Sequence, residues 1–406
     1  MKYINRAIEK TFMRAQNEYP VTLLTGPRQV GKTTMLKKLM ANTDRKYVSL
    51  DEFDARILAT KDPAAFLQIY SPPVLIDEVQ YAPGLFSYIK IIADTTKRKG
   101  DFWLTSSQSY RLMQGVTESL AGRIAIMQMY SLSQSEILEY ENFPFEINLD
   151  LLKERQSPTR SIPEIFKNIF DGGMPEVISG NISSIENYYK NYIASYIERD
   201  VKYLANEIDG LKYYDFIKSV AARISQQINV AEISRDVGIN ETQAKNWLKI
   251  LETLGVIFFL HPYSNNILKR ALKKPKLYFF DTALAIHILS WSSPEVVMNS
   301  SMSGAYFENF VISEIYKSYH NEGKNPTLYY YRDKDKNEID LILEKDATLY
   351  PVEIKKAAIA TKNMVSSFSS LKPTPPYSVG QGAIICNTQT LSAIDKNTLI
   401  VPVSKI

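Results

Sequence analysis

Only one cysteine, Cys386, occurs in 406 residues, and it lies in an apolar run, GAIICN. A single thiol excludes an internal disulfide framework and any thiolate zinc cluster. A reducing cytoplasm is the compartment this predicts. Histidine is nearly as scarce: His261, His287 and His320 are scattered without ligand spacing, so each is expected to be structural or exposed rather than a metal ligand. The apolar stretches are too short or too interrupted to span a bilayer, and the opening MKYINRAIEKTF lacks an apolar signal core, so no membrane partner is expected. Net charge is small as well, +4, which neither requires nor forbids nucleic acid. Internal repeats and low-complexity tracts are absent. What remains, 45% hydrophobic and 23% charged, is an ordinary globular composition. The length suits roughly two or three domains, each with its own core.

Residues 21–36 read VTLLTGPRQVGKTTML. Gly26 to Thr33 satisfies G-x-x-x-x-G-K-[ST] in the context that pattern needs, with an apolar strand before it and an amphipathic helix (Met35, Leu36, Leu39, Met40) after it. Glycines let the backbone aim successive N–H groups at phosphate oxygens, and the following helix adds its positive N-terminal dipole. The predicted cradle is Gly26, Pro27, Arg28, Gln29, Val30, Gly31, Lys32, Thr33 and Thr34, with Lys32 on the β/γ-phosphates of ATP and the Thr33 hydroxyl on Mg2+. A second run, PPVLIDEV at 72–79, ends in adjacent acids as a buried parallel strand would. Alone, such acids are as well explained by a helix cap. Beside the loop they predict Asp77 as a Mg2+ ligand and Glu78 as the base that activates water, hence an ATPase.

Strand-like runs recur at 21–25, 46–50, 74–77, 102–105 and 124–130, the alternation of an α/β domain with a parallel sheet over the first 140 residues. FWLTSSQS places Ser107 and Gln108 just past a strand, where a polar side chain would sense γ-phosphate or orient water, although a plain strand-to-loop turn fits equally. Arg123 immediately precedes the last strand and is a candidate arginine finger, in its own subunit or across a homo-oligomer.

GPRQVGKTT, PPVLIDEVQ, LTSSQS and SLAGR, followed by GGMPE (172–176), YIERDV (196–201), YFFDTALA (278–285) and YRDKDKNEIDLIL joined to YPVEIKKA (331–357), resemble the bacterial and archaeal AAA-type ATPases whose C-terminal half carries a domain of unknown function. The resemblance covers nearly the whole chain. It implies a AAA-like core, a helical middle and a C-terminal module similar to restriction-endonuclease folds. Ser106 departs from it, standing where the family has glycine in TGSQ, so the resemblance does not carry the sensor assignment.

Residues 141–165 have the composition of a connector. Beyond it Tyr188, Tyr189, Tyr192, Tyr196 and Tyr203 recur at helical spacing and are expected to line a core or interdomain face rather than a base-stacking platform, with Arg199 and Asp200 beside them. From 229 to 263 a helix with Ile233 and Val237 inside meets Gly238, Asn240 caps a second helix with Trp247, Leu248, Leu251 and Leu254 inside, Gly255 closes it, and VIFFLHPY supplies a strand. That is a winged helix-turn-helix pattern. Gln243, Lys245, Asn246 and Lys249 fall on or near its outer face, for DNA or RNA or for packing alone. Lys269, Arg270, Lys273, Lys274 and Lys276 make a denser positive patch, for phosphates or merely solvated.

NEIDLILE (337–344) and TLYPVEIKKA (348–357) both alternate and predict a hairpin turning at Asp346-Ala347. Positions summing to 693 then face each other, which sets Asp340 against Glu353 and Glu338 against Lys355 on one face. Opposed carboxylates demand a cation, so Asp340, Glu353 and the helix-borne Glu308 are predicted to hold Mg2+ with Lys355 beside it, as in the D…E-x-K nucleases this module resembles. A nuclease-like fold kept for binding is the alternative. The expected division is 1–140, 141–210, 211–265 and 266–406. The function expected is ATP binding and hydrolysis coupled to nucleic acid, with a regulatory NTPase that captures a protein partner, or an ATP-gated nuclease, as rivals.

Overall fold

The computed structural model describes residues 3–107, 119–196, 209–266, 270 and 273–406. Gln108, Arg199, Asp200, Tyr203 and Lys269 lie outside them, as does the side chain of Tyr196.

Strands β1 (Val21–Thr25), β2 (Lys46–Ser49), β3 (Val74–Asp77), β4 (Phe102–Ser106) and β5 (Ile124–Gln128) form one parallel sheet in the order β2-β3-β4-β1-β5. β1 and β4 are buried at every position, as central strands covered on both faces must be. Val21 and Leu23 share one core with Val48, Phe66, Ile76 and Phe86, beneath α3 (Phe53–Lys61), α4 (Pro63–Ile69) and α5 (Leu85–Thr96). Leu24 and Trp103 face the other way, against α1 (Ile8–Glu18) and α2 (Lys32–Met40). This second core continues without a break into the rest of the chain, through Phe166, Tyr189, Trp247, Phe280 and Phe310 to Val352.

The middle is helical. Ile162–Asp171 opens with Pro163 in its first turn and a Ser161/Glu164 capping box. Tyr189 and Tyr192 of Ile185–Tyr196 turn into the core, as their spacing predicts. Val230–Val237 ends at Gly238 in the left-handed region (φ 70°), and the Asn240 side chain accepts from the Gln243 N–H at 2.8 Å to start Glu241–Thr253. Ile233, Trp247, Leu248, Leu251 and Leu254 are buried, whereas Lys245, Asn246 and Lys249 are exposed. β6 (Ile257–Leu260) pairs antiparallel with β7 (Lys276–Phe279), so the division expected at 265/266 falls between two strands of one sheet.

The C-terminal part sets the helix Ser303–His320 against a mixed sheet, β13-β14-β12-β10-β9-β8 with β11 on β10: β8 (Thr327–Arg332), β9 (Glu338–Lys345), β10 (Thr348–Lys355), β11 (Ser378–Val379), β12 (Gly382–Cys386), β13 (Ser392–Asp395) and β14 (Thr398–Pro402). β9 and β10 form the predicted hairpin. Asp346 and Ala347 both have positive φ (50° and 56°), a two-residue turn whose twist suits antiparallel strands, and pairing runs from Lys345↔Thr348 to Leu341↔Val352. Beyond Val352, β10 pairs in parallel with β12.

Candidate functional site: a phosphate loop and a buried acid cluster

The phosphate loop leaves the carboxyl end of β1, where open parallel sheets bind ligands. Gly26 has φ 146°, and a Cβ there would lie 2.0 Å from the Met129 carbonyl oxygen, so backbone twist and space both demand glycine. Gly31 (φ 92°) turns the chain into α2, whose first residue is Lys32. The Lys32 ammonium donates to the Gly26 and Pro27 carbonyls at 2.8 and 2.7 Å. Thr33 Oγ1 donates to Asp77 Oδ1 at 2.8 Å, which brings the two expected Mg2+ ligands together across the strand ends. Thr105 Oγ1 donates to the same Asp77 oxygen, and Tyr47 OH lies 3.4 Å from the other. An anionic carboxylate beside a hydroxyl is an oxygen donor set suited to Mg2+.

Glu78 follows with φ 56°, an uncommon backbone state for a side chain of its size. Its Oε2 accepts from Gln80 Nε2, from Ser107 N at 3.2 Å and from Ser107 Oγ at 3.0 Å. Burial pushes this carboxyl upward, but Lys32, Gln80, Arg28 and Ser107 outweigh it and hold the group below the ordinary carboxylate range. Ser107 therefore touches the expected base; Gln108 lies outside the described residues.

Several residues around the loop carry no pattern in the sequence. Arg6 donates to Glu136 at 2.9 Å, to the Val30 carbonyl at 2.6 Å and to the Tyr130 carbonyl at 2.8 Å, tying the loop to the exit of β5. Tyr188 OH donates to Gln29 Oε1 at 2.8 Å. Cβ atoms built on Gly31 and Gly255 would lie 3.8 and 3.1 Å from Pro175 and Pro27, so the middle of the chain borders the loop on two sides. A cavity of about 160 Å³ separates the strand ends at Thr25, Ser107 and Gln128 from Glu252–Gly255.

Arg123 does not reach the phosphate loop of its own chain. It precedes β5, its carbonyl accepts from Val21 N at 3.2 Å, and it stands at the amino edge of the sheet while the loop leaves the carboxyl edge. Five residues of strand span roughly 16 Å, so its own loop is out of reach. Its guanidinium pairs with Asp94 instead.

In the C-terminal sheet Asp340, Glu353 and Lys355 come together as the register predicts: Lys355 Nζ lies 3.2 Å from Asp340 Oδ2 and 2.6 Å from Glu353 Oε1. Ile354 N also donates to Asp340, at 2.9 Å. Lys355, expected beside these acids, is the cation that lies between them. Glu308 meets a second lysine, Lys276, at 3.2 Å, and the Tyr278 hydroxyl at 2.6 Å; Lys276 also reaches Glu338 at 2.6 Å. Among the described residues no group of three or more His, Cys, Asp or Glu is placed to hold a metal ion. Lys276, expected in a patch for phosphates or merely solvated, is buried, and Arg270 is partly buried against Tyr263 and Tyr329. Lys273 and Lys274 alone of the described patch are exposed.

Burial, with Asp340 nearby, pushes Glu353 up to about 8 against the opposing pull of Lys355, and burial pushes Glu308 up to about 7 against Lys276. Carboxyls raised in the folded state contribute stability that is complete below the ordinary carboxylate range and lost as pH rises through the folded values. Thermal stability is therefore expected to fall as pH rises from the ordinary carboxylate value, about 4.5, toward 7 to 8, and to level off above that. Glu353→Gln, which cannot ionise, should flatten that fall in melts across this range; an unchanged slope would remove Glu353 as its source.

Of the histidines, His287 stacks on Tyr189 and His320 on Tyr316, both with burial lowering their proton affinity, as structural side chains. Cys386 is buried, and no helix of the described residues is long and apolar enough to cross a membrane.

Residues 18–138 match the family described as "AAA domain", residues 162–295 a "Domain of unknown function (DUF8612)" and residues 303–406 a "Domain of unknown function (DUF4143)". The "Uncharacterized protein Rv2008c" of Mycobacterium tuberculosis and "Uncharacterized protein Mb2031c" of Mycobacterium bovis are each 28% identical over 348 residues, covering 85% of this chain and 72% of theirs. Among solved structures, the Walker-type ATPase paby2304 of Pyrococcus abyssi aligns at 14% identity and TM-score 0.46, over 70% of this chain and 96% of that one. The RuvB Holliday junction branch migration motor of Thermotoga maritima aligns at 16% identity and TM-score 0.30, over 62% and 85%. The chain thus carries a P-loop AAA domain over residues 18–138 and a C-terminal domain of unknown function over 303–406.

Proposed function

We propose that this protein binds and hydrolyses ATP and couples that turnover to the binding of nucleic acid. The observation that carries the first half is the convergence of Lys32, Thr33, Asp77 and Glu78 at the carboxyl ends of β1 and β3. Lys32 and the loop N–H groups are placed to bind the β- and γ-phosphates; Thr33 and Asp77 would hold Mg2+, which would supply positive charge to the phosphate oxygens. A water oxygen bonds to the γ-phosphorus while the bond to the β–γ bridging oxygen breaks, ADP leaves with that electron pair, and the water's proton passes to the Glu78 carboxylate. Glu78→Gln keeps shape but not basicity, so nucleotide should remain bound while hydrolysis slows by roughly 10²-fold or more. Phosphate release at the parental rate in that variant would remove Glu78 from the role of base.

The second half is supported by the exposed Lys245, Asn246 and Lys249 on the second helix of a winged-helix-like unit, whose far end, Glu252–Gly255, borders the loop. ATPase assays with and without duplex DNA, single-stranded DNA and RNA test it. Nucleic acid should raise turnover, and binding should weaken steeply with salt. Stimulation by a protein and by no nucleic acid would favour the regulatory NTPase. The acid cluster, its carboxyls already paired with Lys276 and Lys355, favours a binding role over cutting.

A further inference from the structure

Gln80 belongs neither to the phosphate-loop pattern nor to the acid pair, yet it is buried directly against Glu78. It sits in the short 3-10 turn Val79–Tyr81 that follows β3. Its side-chain N–H donates to Glu78 Oε2 and lies 3.3 Å from Ser107 Oγ. Its own carbonyl oxygen, Oε1, is buried without a hydrogen-bond partner among the described residues. An amide retained only for packing would satisfy both ends, since a buried unmatched acceptor is destabilising. Here the donor end is committed to a carboxylate, and flipping the amide would set two acceptors against each other. Ser107 approaches the same Glu78 oxygen from β4 with both N–H and hydroxyl, so the carboxylate is held from two elements while its backbone sits at φ 56°.

We propose that Gln80 is a positioning residue for hydrolysis, holding the Glu78 carboxylate in the direction from which it takes the proton of the attacking water. The inference rests on the reading of Glu78 as base. A flexible glutamate meets the water in few of its rotamers; a tethered one loses nothing at the moment of reaction, and such preorganisation acts on the chemical step rather than on ATP binding.

The test uses the full chain with Gln80→Met, which removes the donor at similar length, and Gln80→Glu, which keeps the shape and replaces the amide tether with a second carboxyl group against Glu78. Each should lower kcat by roughly 10- to 50-fold, while KM and the affinity for a fluorescent ATP analogue stay within about threefold of the parent. In a Glu78→Gln background the same changes should lower kcat by less than about twofold, because residues acting as a unit are not additive. Parental kcat in Gln80→Glu, a raised KM at unchanged kcat, or an undiminished further loss in the Glu78→Gln background would overturn the assignment. Failure of Gln80→Met to fold leaves the decision to the isosteric Gln80→Glu. Turnover at the parental rate by Glu78→Gln alone would sink the base reading instead, so the two failures are distinguishable.

Discussion

Lys32→Ala should abolish ATP turnover in a protein that still folds. The ammonium spans the mouth of the loop and donates to the Gly26 and Pro27 carbonyls, two neutral acceptors of the turn it will serve. Phosphate oxygens are stronger acceptors, and contact with them moves the charge to where it builds up as the γ-phosphoryl group departs. Loss of one well-placed donor of this kind costs on the order of 10³-fold in rate. Lys32→Arg should rescue little, because a planar fork does not replace a compact point charge seated on two loop carbonyls. Phosphate release measured beside fluorescent ATP binding checks this. Turnover within tenfold of the parent would mean the loop is not where chemistry happens.

Much of this site was legible because the decisive relations are local. Gly26 to Thr33 carries its own geometry in eight residues, and Asp77 and Glu78 end an unmistakable apolar strand. The hairpin register was legible for the same reason: a two-residue turn and a period of two leave one pairing that buries the apolar face, and Leu341↔Val352 is that pairing. Counter-charges are different. Periodicity predicted that Asp340 and Glu353 would share a side and need a cation, but it does not say which element supplies one. Lys355, the expected neighbour of the two acids, lies between them, while Lys276 arrives from β7, 62 positions before Glu338, and reads in the sequence as one more member of a basic run. Arg123 is out of reach of its own loop for a topological reason, since a residue before a parallel strand lies at the edge away from the loops. Gln80 follows the acid pair in plain view, yet only its contact with Glu78 gives it a role.

The helix Ser303–His320 connects these parts physically. Glu308 in its first half belongs to the acid cluster, whereas Glu314 accepts from Gln134 N at 2.7 Å and Lys317 donates to the Leu132 carbonyl at 3.1 Å, just beyond β5. Six residues of helix, roughly 9 Å of rise, separate Glu308 from Glu314. The same helix thus contacts the acid cluster and the segment beyond β5.

Arg6→Ala should produce the largest loss of stability of any single change considered. The Arg6 and Glu136 side chains are 4% and 2% exposed, and |i−j| is 130, so the pair joins the start of the chain to the exit of β5. Removing the arginine leaves a buried carboxylate held by Ala7 N and the Ser133 N–H and hydroxyl, and strands the Val30 and Tyr130 carbonyls it also served. Breaking a buried pair in this way costs about 3–5 kcal/mol. That is a large share of the roughly 5–15 kcal/mol by which a domain is stable. The sign with pH follows from the same contacts. Burial pushes Glu136 up, but Arg6 and the backbone donors more than offset it and hold the folded group below the ordinary carboxylate range. The parent thus has this stabilisation above that range and loses it as pH falls through the folded value. Without Arg6, burial prevails, the folded carboxyl prefers its proton, and the stability gap to the parent should be widest at neutral pH and narrow toward acid. Glu136→Gln in the Arg6→Ala background should recover part of the loss at neutral pH, because a neutral amide is far less costly to bury unpaired. Denaturant midpoints at neutral and acid pH measure all three proteins; a parental midpoint for Arg6→Ala at neutral pH would show that the pair contributes no net stability.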